Sequence, residues 1–256
     1  MKYDLILAGV GGQGILSMAY MLDKACLGAG LSFKQAEVHG MAQRGGAVQS
    51  HLRISDREIH SDLIPLGAAE MILSVEPLEA GRYLPYLSAT GRVISSAAPV
   101  KNIPDYPPEQ QVLDLVLGMQ GALLVDSALI AKAVGNSKAQ NTIMLGAASP
   151  FLPLSAQHIK DAIAEVFTPK GEAIRDLNLR AFDLGRACTL FQEEQRAAGV
   201  APRDFFEASR TRSGSWHCLT PQEDSSRKPR PRDARSCWST RSTSCLRRGA
   251  WGPRGG

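Results

Sequence analysis

The chain opens on a short, largely apolar run, residues 3–8 with Asp4 as its one charged position, that gives way to glycine at Gly9. This is the pattern of a short parallel strand buried on both faces. Residues 15–29 then switch to a helical period, with Ile15, Ala19, Leu22 and Cys26 on one face and Gly28 or Gly30 placed to end the helix. A second strand over 31–38 completes a strand–turn–helix–strand unit. Residues 47–55 alternate, with Val48, Ser50, Leu52 and Ile54 set against Gln49, His51 and Arg53, which predicts a half-exposed strand. Further strands are expected over 70–75 and 91–96, with a helix over 77–87 between them. Four prolines within 99–108 exclude regular structure and mark a loop into a second half. That half reads as helices over 122–134, 141–148, 155–167 and 170–198, with the Ser155 hydroxyl suited to cap the third. The predicted fold class is α/β: a Rossmann-like parallel or mixed sheet with flanking helices and a helical C-terminal portion.

From about Ala201 the periodicity stops. Residues 201–256 are rich in Arg, Ser and Pro and hold all three tryptophans. Such a composition buries too little surface to offset chain entropy, so a disordered basic tail is expected behind a body spanning 1–200. Arg/Ser/Pro/Gly-rich text with scattered Trp and Cys is also what a GC-rich gene yields when read out of frame, and we favour that explanation of the tail. Resequencing the 3′ end of the gene tests it.

Charge follows the same division. The net +4 hides a tail with eleven Arg and one Lys against five acids, and a body with 17 bases and 20 acids. A mildly acidic body gives no sign of nucleic-acid binding. At 256 residues the chain can form one large domain or two small ones. The five cysteines form no CxxC and no Cys/His pair at zinc-finger spacing, so neither a disulfide framework nor a cluster held by this chain alone is expected. No apolar run reaches the ~18 residues of a membrane span, and the N-terminus enters a strand without a charged leader. The expected location is cytoplasmic, away from membranes.

Two glycine-containing stretches carry the candidate chemistry. In Gly9-Val-Gly-Gly-Gln-Gly14, residues Gly9, Gly11 and Gly14 satisfy GxGxxG, flanked by Gly12 and Gln13. Such glycines allow a tight turn and bring backbone N–H groups to a phosphate at the positive end of the next helix. They equally allow close strand–helix packing with nothing bound. Glu37 then stands where a ribose-binding acid would end the second strand. A nicotinamide enzyme would show nothing distinctive beyond it, yet here the text continues His39-Gly-Met-Ala-Gln-Arg44-Gly-Gly46. Gly45 and Gly46 behind Arg44 let the backbone turn sharply while the guanidinium projects, an arrangement suited to an anion or a partner chain.

Together, GVGGQG and EVHGMAQRGGAVQSHLRIS resemble the gamma-type subunit of the ferredoxin-dependent 2-oxoacid oxidoreductases. Within that group the wording HGMAQRGG is most similar to the beta subunit of indolepyruvate ferredoxin oxidoreductase. The resemblance continues in Val125-Asp-Ser-Ala128, Asn141-Thr-Ile-Met-Leu-Gly-Ala147 and Asn178-Leu-Arg-Ala-Phe-Asp-Leu-Gly185, and so covers about residues 3–190. It implies an oxidative decarboxylation of an aryl 2-oxoacid with coenzyme A to acyl-CoA, CO2 and reduced ferredoxin. It also implies that thiamine diphosphate and [4Fe-4S] clusters reside on a larger partner subunit, in a heterodimer or heterotetramer, and that no cofactor is bound by this chain alone.

Under that resemblance Arg44 is the first candidate for an anion contact, with a coenzyme A phosphate or a substrate carboxylate. His39 either moves a proton or orients the loop. Glu37 braces the loop, with Arg44 as its natural partner. Gln43 either meets the substrate or braces. Asn141 and Asn178 read as helix-terminal or interface hydrogen bonders and His158 as a helix-surface residue, while His51 and His60 carry no signal. Two rival readings remain: a self-contained NAD(P)-dependent oxidoreductase, and a regulatory nucleotide-binding module.

Overall fold

The computed structural model describes residues 1–39, 46–101 and 103–211, with His39 and residues 208–211 as backbone. The expectations placed on Gly40–Gly45 and on 212–256 lie outside the described residues.

Six strands form one sheet in the order β2-β3-β1-β4-β5-β6. They are β1 (Lys2–Val10), β2 (Ser32–His39), β3 (Ala47–Ser55), β4 (Ala69–Ser74), β5 (Leu87–Ser96) and β6 (Leu123–Val125). β1, β4, β5 and β6 run parallel, while β3 is antiparallel to both β1 and β2. This departs from the simple strand–helix–strand unit. The helix α1 (Ile15–Gly28) leads from β1 to β2, but β3 is inserted between those two strands. Wedged between two neighbours, β3 is also buried on both faces over Ser50–Leu52 rather than half exposed.

Ile6, Ala8, Ile72, Val93 and Leu124 turn to one face of the sheet. There they pack with Ala80 of α2 (Pro77–Arg82), Leu113 and Val116 of α3 (Glu109–Leu117) and Phe206 of α8 (Pro202–Thr211). The alternate residues Leu5, Leu7, Met71 and Leu73 are fully buried on the other face. That face is covered by α1, α5 (Gln140–Ala148) and α7 (Glu172–Ala197), joined by α4 (Ser127–Val134) and α6 (Ala156–Phe167). α5 and α7 cross so closely that a Cβ at Gly146 would lie 2.0 Å from the Phe182 carbonyl oxygen, and one at Gly185 1.9 Å from that of Ile143.

Several expectations need correcting. Residues 122–134 are not one helix: Leu123–Val125 form β6, and Asp126 caps α4 by accepting from the Leu129 N–H at 2.9 Å. A three-residue run buried on both faces has no periodicity to separate strand from helix. The helix expected over 77–87 stops at Arg82, because Pro85 has no N–H to donate and its ring would meet the carbonyl four residues back; Leu84–Tyr86 form a 3-10 turn. α3 was hidden behind the proline-rich loop. The break expected near 200 falls later, since α8 follows it and buries Phe206 while Phe205 packs on Phe191 at 4.8 Å. Two aromatic residues among charges gave too weak a period to read as a helix. Ser155 does cap α6, accepting from the His158 N–H at 3.1 Å.

His51, which carried no signal in the sequence, is a buried structural residue. Its Nδ1 accepts from the Ile64 N–H at 3.1 Å, and its ring meets Tyr86 edge-on at 5.2 Å. Burial pushes the imidazole pKa down against the opposing pull of Asp62. The folded state therefore favours the neutral ring. This contribution to stability is fully present above the ordinary value of 6.5 and is lost as pH falls below it toward the depressed folded pKa. Denaturant unfolding should show a lower midpoint at pH 5.5 than at pH 7.5, and His51→Gln should flatten that interval. An unchanged slope in the variant would refute the assignment.

Candidate functional site

The candidate site lies at the carboxyl ends of β1 and β4, whose connections through α1 and α2 cover opposite faces of the sheet, the position at which open α/β sheets form a ligand crevice. β1 ends at Val10 and the glycine turn follows. Gly12 and Gly14 take left-handed φ values of 100° and 79°, which only glycine adopts without strain. Gly14 caps α1 without a side chain, and the first turn holds no acidic residue. The earliest helical bond runs from the Met18 N–H to the Gly14 carbonyl, so the amides of Ile15, Leu16 and Ser17 have no intrahelical acceptor. These amides make an electropositive pole.

Gln13 does not project from the turn. Its Oε1 accepts from the Val10 N–H at 2.7 Å, and its Nε2 donates to the Val75 carbonyl at 3.3 Å, tying β1 to β4. A Cβ at Gly9 would crowd the Gln13 amide at 2.9 Å and Ile15 at 2.7 Å. Gly9 therefore keeps room for this bridge. The Gly11 N–H donates to the Gly46 carbonyl at 2.9 Å, and Val10 pairs with Ala47. The end of the second glycine-containing stretch is thus fastened to the first.

Asn141 enters this pole from α5. It is 8% exposed, and its Nδ2 stands 2.7 Å from where a Gly14 Cβ would be. Its Oδ1 is occupied by the Thr142 N–H at 2.8 Å, which aims the amide nitrogen toward the turn. Asn178 supports the arrangement from α7: its Oδ1 accepts from the Thr142 hydroxyl at 2.9 Å, and its Nδ2 donates to the Ile174 carbonyl at 2.8 Å. Asn141 therefore belongs to the crevice, and Asn178 braces the helix that carries it.

Glu37 is not placed for a ribose. With β3 inserted, β2 lies two strand spacings, about 10 Å, from β1. Glu37 accepts from Gln35 Nε2 at 2.5 Å, and with burial its charge pushes the Asp23 carboxyl up to about 7. This removes the geometric basis of the NAD(P) reading. The His39 backbone pairs with Val48 at the same end of the sheet. The His39 side chain, Gln43, Arg44 and Gly45 lie outside the described residues.

One group at the crevice escaped sequence reasoning. Glu76 is 1% exposed at the end of β4 and caps α2 by accepting from the Glu79 N–H at 2.8 Å. It also accepts from the Tyr106 hydroxyl at 2.5 Å and the Val100 N–H at 3.4 Å, which pins the proline-rich loop down. Burial and the Glu76 carboxylate push the Tyr106 phenol up. An acid directly before Pro77 was the available signal, since an N-cap acid followed by proline marks a helix start. Beside it, Ser96 and Ser127 share a hydrogen bond of 2.7 Å, so the Val125-Asp-Ser-Ala128 stretch is where β6 turns into α4.

A cleft of about 610 Å³ lies at the opposite pole, lined by Lys2, Asp4 and Arg53 among others. Its central charges are saturated: Arg53 grips Asp4 at 2.9 and 3.2 Å and donates to the Ser61 and Leu63 carbonyls. That network holds the loop after β3. Cys26 and Cys188 are buried, which pushes both thiols up to about 12 and leaves them as packing residues. Among the described residues no helix is long and apolar enough to cross a membrane.

Residues 4–188 match the family model described as pyruvate ferredoxin/flavodoxin oxidoreductase. The chain is 38% identical over 194 residues to indolepyruvate oxidoreductase subunit IorB of Pyrococcus horikoshii, covering 72% of this chain and 94% of that protein. The fold is similar to the keto/oxoacid ferredoxin oxidoreductase gamma subunit of Geobacter sulfurreducens, with TM-score 0.55, 22% identity and coverage of 73% of this chain and 98% of that one. It is also similar to part of the 2-oxoglutarate:ferredoxin oxidoreductase of Magnetococcus marinus, solved with 2-oxoglutarate, coenzyme A and succinyl-CoA bound, with TM-score 0.59 and 21% identity. There the match spans 73% of this chain but 31% of the other, so the same unit is one section of a longer polypeptide. With both glycine-containing motifs fastened together at the crevice and the match running through β1 to α7, the chain belongs to the pyruvate ferredoxin/flavodoxin oxidoreductase family.

Proposed function

We propose that this chain is the small subunit of a ferredoxin-dependent indolepyruvate oxidoreductase in the cytoplasm. The enzyme converts an aryl 2-oxoacid and coenzyme A to acyl-CoA and CO2 and passes the electrons to ferredoxin. Thiamine diphosphate for the decarboxylation and [4Fe-4S] clusters for electron transfer belong to a larger subunit. The observation that carries the reading is the meeting of the two family motifs, through Gly11 and Gly46, beside the uncapped pole of α1.

The role of this chain is to bind and orient. The α1 amides and Asn141 Nδ2 supply donors for an anion, and a coenzyme A phosphate is the anion this reaction brings. Arg44 adds charge-assisted hydrogen bonds to a coenzyme A phosphate or a substrate carboxylate, and His39 orients the stretch that carries Arg44 or moves a proton.

Co-expression with the product of the neighbouring gene tests the proposal. A stable complex that reduces a viologen dye with indolepyruvate and coenzyme A is expected; failure to co-purify with a thiamine- and cluster-binding subunit overturns it. Within that complex, Arg44→Ala should lower coenzyme A-dependent turnover by about 10- to 100-fold, the worth of one hydrogen-bonded charge, with assembly intact. Unchanged turnover would remove Arg44 from the anion site.

A further inference from the structure

The proline-rich connection between β5 and α3 is held against the crevice by a single carboxylate. Oε1 of Glu76 accepts from the Val100 N–H at 3.4 Å and from the Tyr106 hydroxyl at 2.5 Å. Val100 and Tyr106 stand on either side of Lys101, so one oxygen pins the backbone before it and the side chain after it. Oε2 is taken by the Glu79 N–H at the head of α2. Three donors thus hold a carboxylate that is 1% exposed, and a buried polar group satisfied in this way rigidifies what is tied to it.

The same residue is tied to the glycine turn through its backbone. The Ser74 hydroxyl donates to the Glu76 carbonyl at 2.5 Å and accepts from the Glu76 N–H at 3.2 Å. Between them, the Val75 carbonyl accepts from Gln13 Nε2, and the Val75 N–H donates to Ala8 of β1 at 3.0 Å. The connection and the α1 pole are therefore fastened to the same three residues at the end of β4. What the pinned stretch presents is a cation. Lys101 follows directly on the Val100 amide, is exposed, and forms no hydrogen bond or ion pair among the described residues. Coenzyme A carries two separate anionic groups, a diphosphate and a ribose 3′-phosphate. A helix pole suits the diphosphate, and the second group calls for a second positive charge, which a lysine supplies as a point charge on a flexible stem.

We infer that Lys101 receives the 3′-phosphate of coenzyme A, and that Glu76, through Val100 and Tyr106, is the positioning residue that holds it there. The inference rests on the assignment of coenzyme A to the α1 pole. Both residues then act on the affinity for coenzyme A and leave the decarboxylation untouched.

Dephospho-coenzyme A, which lacks the 3′-phosphate, tests this in the assembled complex with saturating indolepyruvate and a viologen acceptor. The wild type should show a KM about 10- to 100-fold higher for dephospho-coenzyme A than for coenzyme A, at similar kcat. Lys101→Ala should raise KM for coenzyme A about tenfold and leave that for dephospho-coenzyme A unchanged, so that the preference collapses. Lys101→Arg should keep the preference. Glu76→Gln also weakens the α2 cap, so Tyr106→Phe carries the positioning claim: it should lower the preference about three- to fivefold at unchanged kcat. A complex that turns over coenzyme A but shows no preference, or keeps it in Lys101→Ala, overturns the inference alone. Tyr106→Phe indistinguishable from wild type, or weakened equally toward both cosubstrates, removes Glu76 as a positioning residue. A wild-type complex without coenzyme A-dependent turnover overturns the functional proposal, and this inference with it.

Discussion

Gly185→Ala is expected to lower the melting temperature by about 10 °C, and Gly146→Ala to do nearly the same. The added methyl at 185 would lie 1.9 Å from the Ile143 carbonyl oxygen and 3.1 Å from the Ala147 nitrogen. The methyl at 146 would lie 2.0 Å from the Phe182 carbonyl oxygen. The obstacle in each case is the backbone of the opposing helix, which has no rotamer with which to move aside. α5 and α7 must then separate by about 1 Å along the crossing, where Ile143, Ala147, Ala181 and Phe182 are fully buried. Overpacking ordinarily costs about 1–3 kcal/mol and more where backbone meets backbone. For a body of this size about 3 kcal/mol shifts the midpoint by roughly 6–12 °C. Gly28→Ala is the control: nothing lies within 4 Å of its Cβ position, so the change should be neutral or stabilising by less than ~1 kcal/mol. A Gly185→Ala protein melting within ~2 °C of wild type would mean that the helices part cheaply, and the packing argument would fail.

The same crossing shows where a sequence is legible. Strand β1 followed from its apolar run ending in glycine, and β3, α1, α6 and α7 from patterns long enough to read, each to within two residues. β6 has three residues and no period to repeat. The insertion of β3 between β1 and β2 was invisible for a different reason. The strand alternates correctly whichever neighbour it has, and only the pairing of Ile54 with both Tyr3 and Phe33 discloses its place. That pairing moves Glu37 away from the glycine turn, so the acid that completed the dinucleotide fingerprint on paper is displaced in space. Gly146 and Gly185 read as parts of family motifs, yet their physical meaning, two backbones in contact, required both helices at once. Glu76 was missed because its partners, Tyr106 and Val100, come from a loop that periodicity could only mark as irregular. Asn141 was flagged as a hydrogen bonder. Its convergence on Gly14 across more than 120 residues of sequence could not be read from spacing.

Gly14→Ala should lower kcat/KM for coenzyme A by about 100-fold in the assembled enzyme, whereas Gly12→Ala should lower it only a few-fold. Both residues have positive φ, 79° and 100°, so alanine at either strains the turn by about 1–2 kcal/mol. Strain alone predicts similar defects. The surroundings differ, however: nothing lies within 4 Å of a Cβ at Gly12, while one at Gly14 lies 2.7 Å from Asn141 Nδ2. Because the Thr142 N–H holds Asn141 Oδ1 and Asn178 holds Thr142 in turn, the amide can yield only by breaking that chain. The methyl therefore displaces the one side-chain donor that α5 directs at the α1 pole. A hydrogen bond to a charged group is worth about 1.5–3 kcal/mol, or roughly 10- to 100-fold in apparent affinity. Asn141→Ala isolates that part and should cost about tenfold, chiefly in KM for coenzyme A, with the complex intact. Viologen reduction at varied coenzyme A, run on all three variants, reads the split directly. Equal defects at Gly12 and Gly14, with Asn141→Ala silent, would leave the turn as a purely architectural element and move the anion site elsewhere.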